Sequence, residues 1–253
     1  MADVTVSSLG EDQFGSNYAG GLVGYNEAGT IERSHATGST PTTSETRLAG
    51  GLVAKNYGTV QQSYATGSMT ARDHSGGLIG DNNDATVKQS YATGTATATD
   101  SDMGIAGGLV GRNYRGTVTE SYATAAATAT EPDTGTAGGL VGYNQGSVAR
   151  SYATGTVAGS GNVGGLVGFN SDTNGSVDSS YWDTDSTGQS STSGGGTGLT
   201  TDEMQGGEAD DNMPGLDFSG VYATVDTSDA DVSADDYPVI QALDRATQLE
   251  GRA

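Results

Sequence analysis

Few side chains in this sequence could carry covalent or acid–base chemistry. Cysteine is absent, which removes thiolate nucleophiles, disulfides and thiolate metal sites. The two histidines, His35 and His74, belong to no His-Glu-x-x-His pattern. No nucleophile elbow and no phosphate-binding glycine loop is written anywhere. "DTDSTG" (183–188) places oxygen-bearing side chains at alternate positions and a glycine at the sixth, like the start of a calcium loop. Where such a loop carries its bidentate Glu, at the twelfth position, stands Gly194. A Ca2+ ion on Asp183 and Asp185 is therefore the one metal expectation, set against a solvated acidic loop.

Two carboxylates projecting from neighbouring strands could hydrolyse a polysaccharide. The pairs that precede each recurring Ser-aromatic step (Glu32/Arg33, Gln61/Gln62, Lys88/Gln89, Thr119/Glu120, Ala149/Arg150, Asp178/Ser179) form no column of acids. No catalytic residue is assigned, and the chain is not expected to be an enzyme. The regular aromatic feature is Tyr64, Tyr91, Tyr122, Tyr152 and Tyr181, headed by His35 and each preceded by a serine. Alternation around Ser-Tyr-Ala turns Ser and Ala inward and Tyr outward, unless a bend at the preceding x-x pair reverses it. Outward rings about 4.8 Å apart would make a ribbon able to stack on sugars or pack on a partner. Inward rings would be core.

These residues recur because the chain is a repeat. "GGLVGYN" (20–26) returns as "GGLVAKN", "GGLIGDN", "GGLVGRN", "GGLVGYN" and "GGLVGFN", with the motif leucine at Leu22, Leu52, Leu78, Leu109, Leu140 and Leu166. An asparagine always comes four residues later: Asn26, Asn56, Asn82, Asn113, Asn144 and Asn170. A second block, β-branched residue-x-x-Ser-aromatic, succeeds each first one. Spacing is fixed within blocks and slack between them, and β-formers alternate with Gly, Asn and Asp corners, giving about three β-type stretches per repeat. The reading is an all-β fold, a single-stranded β-solenoid (β-helix) of about six coils with a short mixed C-terminal cap. Leucines stack inside, glycines permit positive φ and close approach at corners, and asparagines tolerate left-handed corners while their amides form a structural ladder.

Residues 1–19 are expected to form an N-terminal cap strand, 20–182 the solenoid, 183–200 a loop or linker, and 201–253 an acidic cap over the open edge of the last coil. Within that cap, "TTDEMQ" suggests a helical turn capped by Thr201, and Pro238 a helix over 238–250.

The repeated block resembles the GLUG motif of bacterial and archaeal surface proteins, which include filamentous-haemagglutinin-like adhesins and the non-catalytic parts of immunoglobulin-A-specific metallopeptidases. Ala54 departs from the pattern at its last glycine. The segments "SYWDTDSTGQ", "GLTTDEMQ" and "DYPVIQALD" are similar to the closing segments of such arrays. The resemblance implies a β-solenoid at a cell or particle surface, usually linked to attachment, and implies no catalytic residues.

Net charge is −21, from 31 acidic and 10 basic residues of which only Lys55 and Lys88 are lysine. Such a field repels nucleic-acid phosphate and anionic lipid. It also resembles the composition of proteins from salt-loving archaea, pointing to a halophilic archaeon or its virus. No run is long and apolar enough to span a membrane, and the start shows no export signal. The main expectation is a non-enzymatic, extracellular attachment module, either a virion fibre, spike or decoration protein or part of a cell-surface adhesin. Its partners would be a surface glycan or protein, or neighbouring proteins of the assembly, with homo-oligomers allowed. A structural spacer and a polysaccharide-degrading β-helix enzyme are the alternatives.

Overall fold

In the computed structural model, residues 10–11, 17–39, 45–100, 103–131, 133–226 and 236–250 are described. They form a parallel β-solenoid with a small mixed segment after it. A middle coil runs through His74–Gly76, Ile79–Asn83, Thr86–Lys88, Tyr91–Ala92 and Ala96–Ala98. The next begins at Ile105–Gly107. Each strand pairs in parallel with its copies on adjacent coils: His74 with Leu48 and Ile105, Val87 with Val60 and Val118, Tyr91 with Tyr64 and Tyr122. The sharp Gly-Leu corner and the corner after Asn divide the three β-type stretches of this middle coil into five short strands, whereas in the next two coils Val110–Thr119 and Val141–Ala149 run through the Asn corner as single strands.

The interior is one narrow cluster. Leu52, Leu78, Leu109, Leu140 and Leu166 stack on each other beside Val60, Val87, Val118 and Val148 and the alanines of Tyr-Ala. Coils can come this close only where the chain has no Cβ. A methyl on Gly77 would lie 2.1 Å from the Gly108 carbonyl oxygen, and one on Gly108 would lie 2.0 Å from that of Gly139. Close approach, and not left-handed backbone, is thus what keeps the repeat glycines. Among the described residues, the positive-φ glycines all lie after the array, from Gly188 onward.

The expectation of left-handed asparagine corners is likewise corrected, since all six sit in or at the end of strands with negative φ. Their amides do form a ladder. Each Nδ2 donates to the Oδ1 of the next coil over 2.7–2.9 Å, from Asn26 through Asn56, Asn82, Asn113 and Asn144 to Asn170. The same Nδ2 also donates to a carbonyl two or three residues downstream, as Asn82 does to Ala85, tying the corner to the coil.

Left-handed backbone falls instead on Arg33, Gln62, Gln89, Glu120, Arg150 and Ser179, all with φ between 45° and 51°, and on Asp84 and Arg115, each two residues after Asn. Each of the first six is the second x before Ser, so the chain bends where alternation would otherwise have continued. At this bend the Ser90 N–H donates to Ser121 Oγ over 3.1 Å, and Ser90 Oγ donates to the Lys88 carbonyl. The serine hydroxyl therefore stands in for a ladder acceptor that the bend has displaced, which explains the unvaried serine. The bent residues carry an outer ladder of their own: Arg33 donates to Gln62, Gln62 to Gln89, Gln89 to Glu120, and Arg150 to Glu120.

The last coil is closed differently from the expected cap. Trp182 replaces the inward alanine, and its indole fills the end of the core against Gly165 and Gly198 while donating to the Gln189 carbonyl. Part of the stretch expected to be linker covers the open edge. Thr197–Leu199 adds a parallel strand to Tyr181–Asp183, and Ser191, Thr192 and Ser193 hydrogen-bond to Gly165, Val167 and Asn170. The acidic segment after residue 200 instead lies along the side of the rod. Its first helical turn, Thr201–Met204, is capped by Thr200 and not Thr201. Residues 238–240 belong to the strand Asp236–Ile240, with a helix only at Arg245–Glu250. Of the expected N-terminal cap, residues 1–9 and 12–16 lie outside the described residues. Gly10–Glu11 pairs antiparallel with Asn17–Gly20.

Close coil approach makes a specific prediction. Gly108→Ala should lose about 3 kcal/mol or more, because the obstacle is backbone on both sides. Gly38→Ala, whose added methyl meets nothing within 4 Å, should leave the urea midpoint unchanged. Equal midpoints for the two variants would refute the packing argument.

Candidate functional site

Within Gly-Gly-Leu-Val-Gly-x-Asn the freely varied letter is x: Tyr25, Lys55, Asp81, Arg112, Tyr143 and Phe169. The residue two before it lies in the core, and the Asn after it lies in the interior ladder. Strict alternation cannot satisfy both, so it breaks once, at Gly80 and its equivalents, which pack on a preceding strand. A methyl on Gly80 would come within 2.8 Å of the Ala49 carbonyl oxygen. That break turns x outward. The residue after Asn, for instance Tyr57, Asn83 or Tyr114, shares the same face.

Stacked in register, these columns bring rings and charges together. Lys55 Nζ lies 5.4 Å from the Tyr57 ring centroid, 5.5 Å from that of Tyr18 and 6.0 Å from that of Tyr25, a three-sided aromatic enclosure. Burial works against its charge, but the Tyr57 hydroxyl and nearby Asp81 outweigh that and raise its pKa. One coil on, Asp81 is buried and receives a fork from Arg112, Nε to Oδ1 and Nη2 to Oδ2, both at 2.9 Å. Arg112 also donates to Asn83 Oδ1 at 3.4 Å, and its guanidinium carbon sits 5.5 Å from the Tyr114 ring centroid. Tyr143 and Phe169 stack at 4.9 Å further along.

His74, legible in the sequence only as a loop residue, is in a strand beside this face. Its Nδ1 is 3.9 Å from Asp81 Oδ2, too far for a hydrogen bond. Burial lowers its pKa to about 4, since Asp81 is already neutralised by Arg112 and holds the imidazolium weakly. Two buried polar atoms of this cluster, His74 Nδ1 and Asn83 Nδ2, have no hydrogen-bond partner.

The tyrosine column stands elsewhere. Tyr91, Tyr122 and Tyr152 point away from the solenoid core and stack 5.0 Å apart with planes within 6°. They are not a solvent-facing ribbon, and that expectation is corrected: the acidic segment lies over them. Met204, Met213, Leu216, Tyr222 and Ile240 form a second core with Tyr91, Tyr122, Tyr152 and Tyr181. Tyr122 donates to Gln248, Tyr152 to the Pro238 carbonyl, and Tyr181 accepts from the Gly215 N–H. Only Tyr64 and His35, at the head of the stack, are partly open.

The calcium expectation is also corrected. Asp183 caps the turn Thr184–Thr187 through the N–H groups of Asp185 and Ser186, and accepts the hydroxyl protons of Thr201 and Tyr237. Although burial opposes the charge, those donors hold its pKa below the usual carboxylate range. Proton donors surround the carboxylate where a cation would need oxygens. Asp185 Oδ2 accepts from the Thr201 N–H. No group of three or more His, Asp or Glu able to hold a metal occurs among the described residues.

One carboxylate pair from adjacent coils does meet. Asp73 and Asp100 share a hydrogen bond; burial first, and then Asp100, raises the Asp73 pKa against the opposing pull of Arg47. With Arg47 2.5 Å from Asp73 and Arg72 3.8 Å from Asp100, the two carboxylates sit in an ion-pair cluster.

Fold and site define a β-solenoid repeat protein whose stacking ladders are internal and whose varied residues are external. The chain carries the GLUG motif at two places, where the model of that motif matches residues 15–40 and 133–158. Halomucin of Haloquadratum walsbyi is 40% identical over 77 residues, a match spanning 30% of this chain and 1% of that protein's length. A Bacteroides ovatus crystal structure, provisionally assigned as an immunoglobulin A1 protease, superposes with a TM-score of 0.61 at 21% identity, covering 90% of this chain and 73% of that one. At that identity the likeness concerns the fold.

His74 gives this face a pH signature. Its folded pKa lies below the unfolded value of 6.5, so stability is full above about pH 6.5 and falls as pH drops toward 4, by about 3 kcal/mol. Urea unfolding of wild type and His74→Gln at pH 7 and 4.5 should show the extra loss only in the wild type.

Proposed function

We propose that this chain is a non-enzymatic module of a surface protein, in which the solenoid is a stiff support and the outward x column is the attachment face. The observation that carries the reading is the contrast within one seven-residue motif. Six of its positions are nearly unvaried and serve stacking, while the seventh is Tyr, Lys, Asp, Arg, Tyr and Phe in successive coils. A spacer with no ligand has no use for rings and charges held in register on one face, because a stacked column is satisfied by repeating one residue, as the asparagines do.

The GLUG repeats and the Halomucin relative support a surface setting. Attachment through exposed aromatic rings agrees with general interface chemistry, in which rigid rings bury large area at small entropic cost. A fibre or spike on a virion and a segment of a large cell-surface adhesin both use such a support. The match to a small fraction of a far longer relative favours the second.

Beads carrying the folded chain should adhere to polysaccharide-coated or cell-coated surfaces. A Tyr57→Ser/Tyr114→Ser/Tyr143→Ser variant with unchanged circular dichroism should lose most of that adhesion. Equal retention of both beads on every surface would remove the x-column face from consideration.

A further inference from the structure

Resting on the reading of the chain as part of a surface protein, we infer that Asn174 is the acceptor for an N-linked glycan, carried at the corner of the last coil. The first observation is in the sequence. Of all the asparagines in the chain, Asn174 alone is followed, after one residue other than proline, by a serine or threonine, in Asn174-Gly175-Ser176. That pattern is the acceptor sequence for N-glycosylation. It falls in a stretch that stacking does not require. Val177 follows Asn170 by seven positions, where the other five coils use four or five between the equivalent residues. The added residues make the turn 172–174, closed by the Gly175 N–H donating to the Ser171 carbonyl over 2.8 Å.

The second observation is placement. Asn174 and Ser176 are both exposed, and among the described residues Asn174 Nδ2 donates only to Thr173 Oγ1, over 3.2 Å. An amide nitrogen has two protons, so one remains for exchange. The sugar would come from a polyprenyl-phosphate-linked donor. Nδ2 bonds to the anomeric carbon, the bond from that carbon to the donor phosphate oxygen breaks, and one amide proton is released. The other proton can keep the Thr173 contact, so the turn survives the modification. The asparagines of the ladder differ in each respect. Asn82 is fully buried and uses both protons, on the Ala85 carbonyl and on Asn113 Oδ1. Asn162 is exposed, but Val163 and Gly164 follow it and supply no hydroxyl.

The third is what lies beside the turn. The strand Ser176–Asp178 pairs with Ser147–Ala149 on one side. Among the described residues no strand pairs with its other side. The closing stretch hydrogen-bonds to Gly165, Val167 and Asn170 through residues 191–193, and resumes as Thr197–Leu199 against Tyr181–Asp183. Between these it passes Val177 on Gly194, Gly195 and Gly196, all with positive φ, and adds no ladder bond there. A bare strand edge invites pairing with another chain. A bulky, hydrated glycan on Asn174 stands at the start of that edge and obstructs such pairing.

The test is the intact mass of the folded chain, exported behind an appended signal by a halophilic archaeal host, with peptide mapping to place any added mass. A flexible Asn-Gly-Ser tail joined to the end of the chain serves as control, and the host chosen is one that modifies this tail. The peptide holding Asn174 should carry sugar mass in most molecules, and Asn174→Gln and Ser176→Ala should each lose it. In concentrated salt and at equal protein concentration, Asn174→Gln should sediment as a larger species than the glycosylated wild type. A modified tail beside a bare Asn174 would overturn the acceptor assignment, as would a Ser176→Ala chain modified at Asn174 as fully as the wild type. Identical sedimentation of Asn174→Gln and the glycosylated chain would overturn the protection of the edge and leave the acceptor in place. Bead adhesion separates the surface reading from this one. A bare Asn174 on a chain that still adheres overturns the glycan alone, and a bare Asn174 on a chain that does not adhere overturns both.

Discussion

Each coil of this protein must hydrogen-bond to the next in register, and the buried asparagine ladder enforces it most stringently. An amide offers one acceptor oxygen and a two-proton donor. Here the oxygen takes the amide above, while the nitrogen serves both the next coil and a local carbonyl. Shifting one coil by a single residue would leave buried amides unpaired on both sides, at about 1–3 kcal/mol for each unsatisfied group. The serine ladder adds a second check at the bend, where a side-chain oxygen receives an N–H that no carbonyl can reach. Leucine stacking supplies attraction but little register, since apolar contacts tolerate sliding. Glycines set how closely the coils approach, and the amides set where.

Much of this was legible in the sequence, because a stacked fold writes its contacts as repetition. Asn56 and Asn82 are partners in space because they are copies in the chain, so a repeat alignment is also a contact map. What the sequence concealed lay outside that logic. The tyrosine column repeats as faithfully as the asparagines, and repetition does not say whether rings meet solvent or another segment. Its cover comes from Met204, Met213, Leu216, Tyr222, Ile240 and Gln248, residues outside the repeat, whose docking depends on tertiary contacts far apart in sequence. Pro238 reads locally as a helix start, but pairing with Tyr222–Val225 draws its neighbourhood into a strand.

The candidate face was missed for the opposite reason. Attention to what recurs passes over the x position, since Tyr25, Lys55, Asp81 and Arg112 share no residue type. Yet variation inside an otherwise fixed motif is itself a signal. Every other letter is held by a neighbour above and below, and a letter that changes freely is released from the ladder and faces outward. The same test applied to the second block marks the x-x pair, and there too the side chains lie outside, linked as Arg33, Gln62, Gln89 and Glu120. That column differs in kind: long polar side chains bond to one another along the rod and offset the strain of their own positive φ.

Most of the acidity and the x face therefore lie on different surfaces. The acidic residues concentrate in the C-terminal segment and on exposed edges, where in concentrated salt their mutual repulsion is screened within a few ångströms. On the x face Asp81 and Arg112 neutralise each other through forked bonds that survive screening because the carboxylate is buried. A face built this way keeps its chemistry as ionic strength changes. One relying on unpaired surface charge would lose its grip in brine and become sticky in dilute medium. Aromatic rings and enclosed ion pairs on a rigid repeat are a solution that salt leaves largely untouched.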